Sequence, residues 1–317
     1  MKQLDGNQKF RCLMASTKRL KFGKIYLMTK TVLPPLRHKP YGGAWSIHDP
    51  ESVQFLSNID NVLGNRQKFL ADYKEWMAMG KVFKGLDNYQ HLDFCAGTTE
   101  AFGEFYLQHQ KLRLRLYKGE FFYHNIIARN YFSQSAYIGQ EPLAKGDVVV
   151  MSCPFSNTGT IPNNFYEVLQ ECDKLEIPVL LDMAYINISC LNNLDLRYKC
   201  IHTITTSLSK VFPVENYRIG MRLRRNFYDD NLFAYNQGEY VNLYSINIGH
   251  ELIKRFRNDW LYDKYKTNQI EMCNQLEVAV SDCVIFGLAD RGHFDEYNRD
   301  SDINRLCFSR TWDGRIS

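Results

Sequence analysis

Three short strand-like runs, two of them apolar and the third β-branched, constrain the fold of this chain more than any other feature. They cover residues 146–151, 177–182 and 200–206, and the first two read as strands buried on both faces. After Pro162, between the first and second runs, apolar residues recur at the spacing of a helix. Alternating strands and helices are typical of a mostly parallel sheet with right-handed crossovers. The sequence therefore predicts an α/β fold with a doubly wound sheet.

The chain has 317 residues, which is enough for one large domain and one smaller domain. Residues 1–50 are basic and aromatic with proline and glycine breaks, so we predict an N-terminal arm with little regular structure. Residues 51–245 are predicted to form the large domain. Residues 246–317 combine a long helical pattern with two strand-like runs, which predicts a smaller α+β domain.

Composition excludes several classes of protein. The net charge of +4 is slight and the basic residues are scattered, so no nucleic-acid partner is predicted. No apolar run approaches the roughly 20 residues of a membrane span, and no secretory signal is recognisable. The nine cysteines include no Cys-x-x-Cys pair and indicate reduced thiols in a cytoplasmic protein. No metal site is predicted.

Lys210 is the first candidate for chemistry, because it follows the run at residues 200–206 and lies among hydroxyl residues. Ligands of open α/β sheets bind where strands reach their carboxyl ends. A partly unprotonated lysine amine can form a Schiff base with a carbonyl group. Ser207 and Arg218 offer a hydroxyl and a guanidinium that can bind an anion near that amine. Taken alone, the segment also fits an ordinary surface lysine.

A second candidate is the turn that opens at Gly97 and is followed by a helical pattern. A glycine and two threonines at a helix start leave backbone N–H groups and hydroxyls where a phosphate can bind. An ordinary N-cap formed by Thr98 or Thr99 explains the same residues.

Polar residues also follow the other two apolar runs. Asn157 lies in a turn-rich loop after the first run, while Asp182 ends the second and Tyr185 follows it. A doubly wound sheet brings its strand ends into one cleft. We therefore expect these side chains to meet Lys210 there.

Together these motifs resemble the fold-type I pyridoxal-phosphate enzymes, specifically the class I and II aminotransferases. The family has Ser-x-x-Lys with an arginine eight residues after the lysine and a glycine two further on, Asp-x-Ala-Tyr, Asn-Pro-Thr-Gly, and Gly-x-Thr-Glu-Ala. The corresponding segments here are residues 207–210 with 218–220, 182–185, 157–159 and 97–101. The resemblance covers about residues 90–225. The proline of Asn-Pro-Thr-Gly is missing, and the smaller domain is short for the family.

The resemblance implies pyridoxal 5'-phosphate as cofactor and a role for each motif residue. It implies that Lys210 holds the cofactor as a Schiff base and carries a proton at the substrate α-carbon. It implies that Asp182 pairs with the pyridine nitrogen. It further implies that Tyr185 and Asn157 contact the ring hydroxyl oxygen, and that the phosphate is bound by Gly97, Thr98, Ser207 and Arg218. Phe121 (or Phe122 or Tyr123) is implied to stack on the ring. Arg305 (or Arg310) is implied to bind the substrate carboxylate.

The activity implied is that of an aminotransferase, which transfers an amino group between an amino acid and a 2-oxo acid. The enzyme is expected to be a homodimer. A lyase or decarboxylase with the same cofactor is the first alternative, because residues that hold the cofactor do not select the reaction. A non-catalytic relic serving as an interaction or regulatory protein is the second, and the presence of both Lys210 and Asp182 argues against it. The substrate cannot be predicted from the sequence.

Overall fold

The structure is a computed structural model that describes residue 36 and residues 38–312. Most of the predicted N-terminal arm therefore lies outside the described residues. Within residues 38–49 there is no helix or strand, as predicted for that part of the arm.

Helices and strands alternate through the middle of the chain. The helices are α1 (Pro50–Ser57), α2 (Arg66–Ala78), α3 (Thr98–His109), α4 (Phe122–Tyr131), α5 (Phe165–Leu175), α6 (Asn231–Gln237), α7 (Leu243–Arg255), α8 (Trp260–Leu276) and α9 (Ser309–Trp312). The strands are β1 (Val82–Lys84), β2 (His91–Ala96), β3 (Arg113–Leu116), β4 (Ser135–Tyr137), β5 (Asp147–Ser152), β6 (Val179–Asp182), β7 (Asn193–Asp195), β8 (Ile201–Ser207), β9 (Ile219–Arg224), β10 (Ala279–Val280), β11 (Phe286–Asp290) and β12 (Ile303–Cys307).

Seven strands form the central sheet in the order β2-β9-β8-β6-β5-β3-β4. The pairs from β8 through β6, β5 and β3 to β4 are parallel, whereas β9 is antiparallel to both of its neighbours. This confirms the predicted mostly parallel α/β sheet. The carboxyl ends of β5, β6 and β8 consequently lie side by side at one edge of the sheet.

Strand β5 shows how both faces of the sheet are covered. All of its residues are buried, and alternate side chains point to opposite faces. Val149 and Met151 belong to the core cluster that contains α5 residues, whereas Val148 and Val150 belong to the cluster that contains α3 and α4 residues. The middle of a strand buried in this way is apolar on both faces, as residues 148–151 are, which is why the run was recognisable in the sequence.

The C-terminal part contains a three-stranded antiparallel sheet in the order β10-β11-β12, the small sheet expected of an α+β domain. Helix α8 is joined to it by Gln269, whose side-chain amide donates to the carbonyl oxygens of Ser281, Cys283 and Phe286. The region predicted as one long helical stretch is two helices, α7 and α8. Because α7 begins before residue 246 and packs against α2, the domain boundary itself stays a prediction.

A buried ion network holds the reversed strand β9 in place. Asp93 of β2 accepts from Arg222 at 2.9 Å and lies 3.1 Å from Arg224, while Asp230 pairs with Arg222 at 2.6 Å. Removing one member of such a network leaves a buried charge without compensation. The network therefore holds β9 against β2 and against Asp230, the N-cap of α6.

The cysteines of residues 38–312 are free, and all except Cys190 are buried. No helix there has both the length and the apolar character that crossing a membrane requires.

Candidate active site

A cavity of about 380 Å³ opens where the strands of the central sheet end. Its volume lies in the range of small-molecule and cofactor sites, and its position is where open α/β sheets bind ligands. Most of the predicted site residues line it. They are Gly97 and Thr98 after β2, Phe121 and Phe122 before and in α4, Asp182 and Tyr185 at the end of β6, Ser207, Lys210 and Arg218 around the end of β8, and Arg305 on β12.

Lys210 lies in a single 3₁₀ turn that follows β8 directly. The side chain of Ser207 starts this turn by accepting the Ser209 N–H at 3.2 Å. The Lys210 amine donates to the carbonyl oxygen of Ala44 at 2.5 Å. Burial in the cavity lowers the pKa of Lys210 to about 8. An amine in this range has a useful unprotonated fraction near neutral pH.

Asp182 is the carboxylate at the end of β6. Its Oδ1 accepts from the Thr205 hydroxyl and from the Ala184 N–H, both at 3.1 Å. Burial raises the pKa of Asp182 to about 6, against the lowering effect of these bonds and of Lys210. Within residues 38–312 both hydrogen bonds go to Oδ1. The carboxylate can therefore take a further cationic or donor partner from a ligand.

The turn at Gly97 and the side chain of Arg218 form the anion-binding end of the cavity. Gly97 is the N-cap of α3 and has a φ of 76°, and a Cβ placed there would lie 2.4 Å from Arg218 Nη2. Only glycine fits at this position. No side chain caps α3, which leaves its first N–H groups available to an anion, in contrast to an ordinary N-cap by Thr98 or Thr99.

Arg218 is held in an unusual backbone conformation with a φ of 56°. Its Nε donates to the Ala96 carbonyl at 3.2 Å, and its Nη2 donates to the Thr99 hydroxyl at 3.0 Å. Non-glycine residues rarely adopt this conformation, and such strain occurs most often at functional sites. The guanidinium is thereby fixed against the N-terminus of α3, where both groups favour an anion.

Two of the three aromatic residues predicted to stack on the cofactor ring line the cavity. Phe121 and Phe122 line the cavity, and their ring centroids are 4.9 Å apart in an edge-to-face arrangement. Tyr123 does not line it, because its ring lies behind Phe121 at 6.1 Å in a stacked arrangement and packs in the core under α3 and α4.

Asn157 is the predicted site residue that the structure does not bring to the cavity. Its side-chain amide instead donates to the Ser301 hydroxyl at 2.7 Å and to the Ile303 carbonyl at 3.2 Å. Ser156, one residue earlier, lines the cavity in its place. Counting back from the glycine would have found it, because the asparagine of Asn-Pro-Thr-Gly lies three residues before the glycine and that position is Ser156.

Glu120 is a cavity residue that the sequence reasoning missed. Its buried carboxylate accepts from the Ser152 N–H at 2.6 Å, from the Ser152 hydroxyl and from the Phe121 N–H at 2.9 Å. Burial raises the pKa of Glu120 to about 7. These bonds tie the start of α4, and with it Phe121, to the end of β5.

Three further elements of the cavity wall were also missed. Ser209 stands within the recognised Ser-Leu-Ser-Lys segment and was passed over. Residues 43–46 and Arg299 come from distant parts of the chain and carry no local pattern, so that only tertiary folding reveals them.

Arg305 lines the cavity, whereas Arg310 does not. Arg305 is only 3% exposed, its Nη2 donates to the Gly43 carbonyl at 2.7 Å, and its Nη1 donates to the Ser156 carbonyl. The guanidinium carbon lies 4.4 Å from the ring centroid of Phe286. These contacts fix the planar group in orientation, which is what recognition of a carboxylate requires.

A comparison with protein families supplies the decisive observation. The family model described as aminotransferase class I and II matches residues 122–228, the segment that contains Asp182, Lys210 and Arg218. The predicted resemblance to class I and II aminotransferases is confirmed. The predictions of a pyridoxal-phosphate-dependent enzyme and of that cofactor are confirmed with it, whereas the reaction type stays open. No curated protein sequence matches the chain significantly.

Solved structures support the fold-type I assignment. The tyrosine aminotransferase from Leishmania infantum has a TM-score of 0.64 at 11% identity, covering 95% of this chain and 100% of its own. The pyridoxal-phosphate-bound C-S lyase from Staphylococcus hominis has a TM-score of 0.62 at 11% identity, covering 84% and 83%. The L-threonine-O-3-phosphate decarboxylase from Porphyromonas gingivalis has a TM-score of 0.56 at 14% identity, covering 83% and 92%. Likeness at such identities establishes the fold and leaves the reaction open.

The residues of this fold-type I site fit pyridoxal phosphate. The cradle at Gly97 excludes any side chain and presents free N–H groups beside Arg218, as a phosphate requires. Burial raises the pKa of the Asp182 carboxylate, and a protonated pyridine nitrogen would be a cationic partner for its charged form. Lys210 places an amine in the same cavity.

Proposed function

We propose that the protein is an aminotransferase that moves the amino group of an amino acid to a 2-oxo acid with pyridoxal phosphate attached to Lys210. One observation carries this proposal: the Lys210 amine, the Asp182 carboxylate, the anion cradle at Gly97 and the Arg305 guanidinium share one cavity. When bound, the cofactor supplies an electron-withdrawing ring that stabilises negative charge at the substrate α-carbon.

Lys210 is the proton carrier of the proposed reaction. With the cofactor bound, the Lys210 amine would hold it and would carry a proton at the substrate α-carbon. A pKa of about 8 is close to the working pH, where general acid–base catalysis by one group is most effective. The Ala44 carbonyl, which accepts from this amine, orients it in the cavity.

Asp182 stabilises charge in the proposed reaction. Its carboxylate is fixed by Thr205 and Ala184. With the cofactor bound, it would hold the protonated pyridine nitrogen and so strengthen the ring as an electron acceptor. The preorganised carboxylate needs no rearrangement as charge develops, which is the condition under which electrostatic stabilisation is strongest.

Arg305 favours a reaction in which the substrate carboxylate is retained. A charge-assisted pair between its fork and that carboxylate stabilises the ionised group and opposes its loss as carbon dioxide. This supports transfer over decarboxylation but does not separate transfer from elimination.

A screen of amino acids against 2-oxo acids, with identification of products, tests the proposed reaction. We expect a new amino acid and a new 2-oxo acid in equal amounts. Carbon dioxide with a free amine would instead identify a decarboxylase, and ammonia with a fragmented side chain would identify a lyase. Cofactor-loaded protein that converts no amine would favour the non-catalytic alternative.

The pKa of Lys210 predicts how the cofactor-free protein captures pyridoxal phosphate. The protonated amine does not react, and burial lowers its pKa to about 8. The rate of covalent capture should therefore rise about tenfold per pH unit below that value and level off above it. Stopped-flow absorbance measures this rate. A rate that still climbs tenfold per unit up to pH 10 would contradict the lowered pKa.

Arg305→Ala should weaken α-amino acids far more than amines without a carboxylate. The loss of a buried charge-assisted pair costs about 2–5 kcal/mol, which applies only to substrates that carry the carboxylate. The ratio of kcat/KM for the two substrate types gives the result. Arg310→Ala is the matched control and should leave the ratio unchanged. Equal losses on both types in Arg305→Ala would point to a structural role for this arginine.

We also propose that the protein is a homodimer. Large aromatic side chains are exposed in two segments, with Tyr217 next to Arg218 in one, and Tyr240, 82% exposed, and Tyr244 around the start of α7 in the other. The Ser245 hydroxyl donates to the Tyr217 carbonyl at 2.8 Å and so holds these segments together. Exposed apolar patches of this kind mark protein interfaces.

Sedimentation equilibrium should give twice the chain mass for the wild-type protein. Tyr240→Asp should shift the equilibrium towards the monomer, whereas Phe227→Asp, at an exposed position outside this patch, should not. A fully active wild-type monomer would contradict the proposal.

A further inference from the structure

Besides Arg218 and Arg305, the cavity contains a third arginine, to which the proposed function assigns no role. Arg299 lies in the loop before β12, lines the cavity with Arg305, and has a buried Nε atom without a hydrogen-bond partner. Within residues 38–312 no carboxylate forms an ion pair with its guanidinium. Burial and the nearby charge of Arg305 lower the pKa of Arg299 to about 9, so that it stays protonated at neutral pH.

The acidic groups nearest to Arg299 are engaged elsewhere. The Glu120 carboxylate is occupied by the Ser152 and Phe121 donors. Asp300 is exposed and its side chain is hydrogen-bonded to Tyr137. A buried guanidinium whose neighbouring carboxylates are engaged by other donors is stabilised most by an anion brought in by a ligand.

The loop that carries Arg299 is braced on both sides. The Asn298 amide donates to the Ser301 carbonyl at 2.9 Å and to Asn304 Oδ1 at 2.7 Å, and Asn298 Oδ1 accepts the Asp300 N–H at 2.9 Å. The Asn157 amide binds Ser301 from the large sheet. This explains why Asn157 faces the loop, and it means that Arg299 is presented from a fixed backbone.

We propose that Arg299 binds a second anionic group of the substrate, so that the amino substrate carries a further carboxylate or a phosphate besides the carboxylate at Arg305. The inference rests on the proposed function and assigns its substrate class. Arg305 is already committed to the Gly43 and Ser156 carbonyls, which leaves part of its fork for one carboxylate. Arg299 Nε, in contrast, has no hydrogen-bond partner among residues 38–312.

Binding of unreactive diacids to the cofactor-loaded protein tests this assignment. Succinate and glutarate are each compared with their monoamides, succinamate and glutaramate, which have the same shape and one charge fewer. Isothermal titration calorimetry gives the four dissociation constants, and 3-phosphonopropionate is added to represent a phosphate. We expect at least one diacid to bind about tenfold or more tightly than its monoamide. Whether a diacid or 3-phosphonopropionate binds more tightly identifies the second anionic group as a carboxylate or a phosphate.

In Arg299→Gln the ratio of the monoamide dissociation constant to the diacid dissociation constant should fall to about one, while the monoamide binds as tightly as to the wild type. Arg299→Lys should retain part of the preference, and Arg291→Gln, at an exposed arginine of the same region, should retain all of it. The proposal is overturned if wild-type protein binds no diacid or phosphonate more tightly than the monoamides, or if the preference persists in Arg299→Gln. Failure of the proposed amino transfer would appear separately, in the product screen and in cofactor attachment to Lys210.

Discussion

Asp182→Asn should lower turnover by about 10²–10³-fold. Asparagine keeps the shape of the side chain and can still accept from the Thr205 hydroxyl and the Ala184 N–H. It removes the negative charge that stabilises a protonated pyridine nitrogen, so the ring becomes a weaker electron acceptor. Steady-state kcat on the best substrate of the screen measures the effect.

Two further measurements separate this loss from damage to the fold. Cofactor attachment to Lys210 should be preserved, because Asp182 acts at the other end of the ring. The pKa of Asp182 is raised above its ordinary value, so its charged form is disfavoured by folding, and its stabilising contribution is lost as pH rises through about 6. Cofactor-free Asp182→Asn should therefore be at least as stable as wild type at pH 8. Near-native turnover in this variant would contradict the assigned role.

Lys210→Ala should abolish covalent attachment and lower turnover by about 10⁴-fold or more, because one residue supplies both the attachment point and the proton carrier. Lys210→Arg should be equally inactive, since a guanidinium stays protonated. Product formation under single-turnover conditions measures the loss.

Lys81→Ala is the matched control for Lys210. Burial lowers the pKa of Lys81 as well, but its amine donates to the Leu191 carbonyl at 2.9 Å and it does not line the cavity. This variant should keep wild-type turnover. Activity that survives in Lys210→Ala and is lost in Lys81→Ala would contradict the account of the site.

Much of the site could be predicted because it depends on local features. Strands buried on both faces carry a run of apolar residues, 148–151 in β5 and 179–181 in β6, and parallel strands end at a common edge. Gly97 follows β2, Asp182 ends β6 and Lys210 comes three residues after β8, so recognising the strands placed these residues together.

Other parts depend on contacts between distant segments, and the sequence has no local signal for them. Residues 43–46 reach the cavity only through bonds such as those from Lys210 and Arg305 to backbone carbonyls more than 160 positions away. Arg299 lies in an irregular loop whose shape is set by Asn298 and Asn304. Asn157 was misassigned because the motif was aligned on its asparagine, and a shift of one residue in a turn points the side chain at a different neighbour.

Reduction of the cofactor-loaded protein with borohydride, followed by peptide mapping, tests the central claim most directly. The account predicts that the cofactor mass is found on the peptide containing Lys210 and on no other lysine peptide. A label on another lysine, or no label in protein that has bound pyridoxal phosphate, would contradict it.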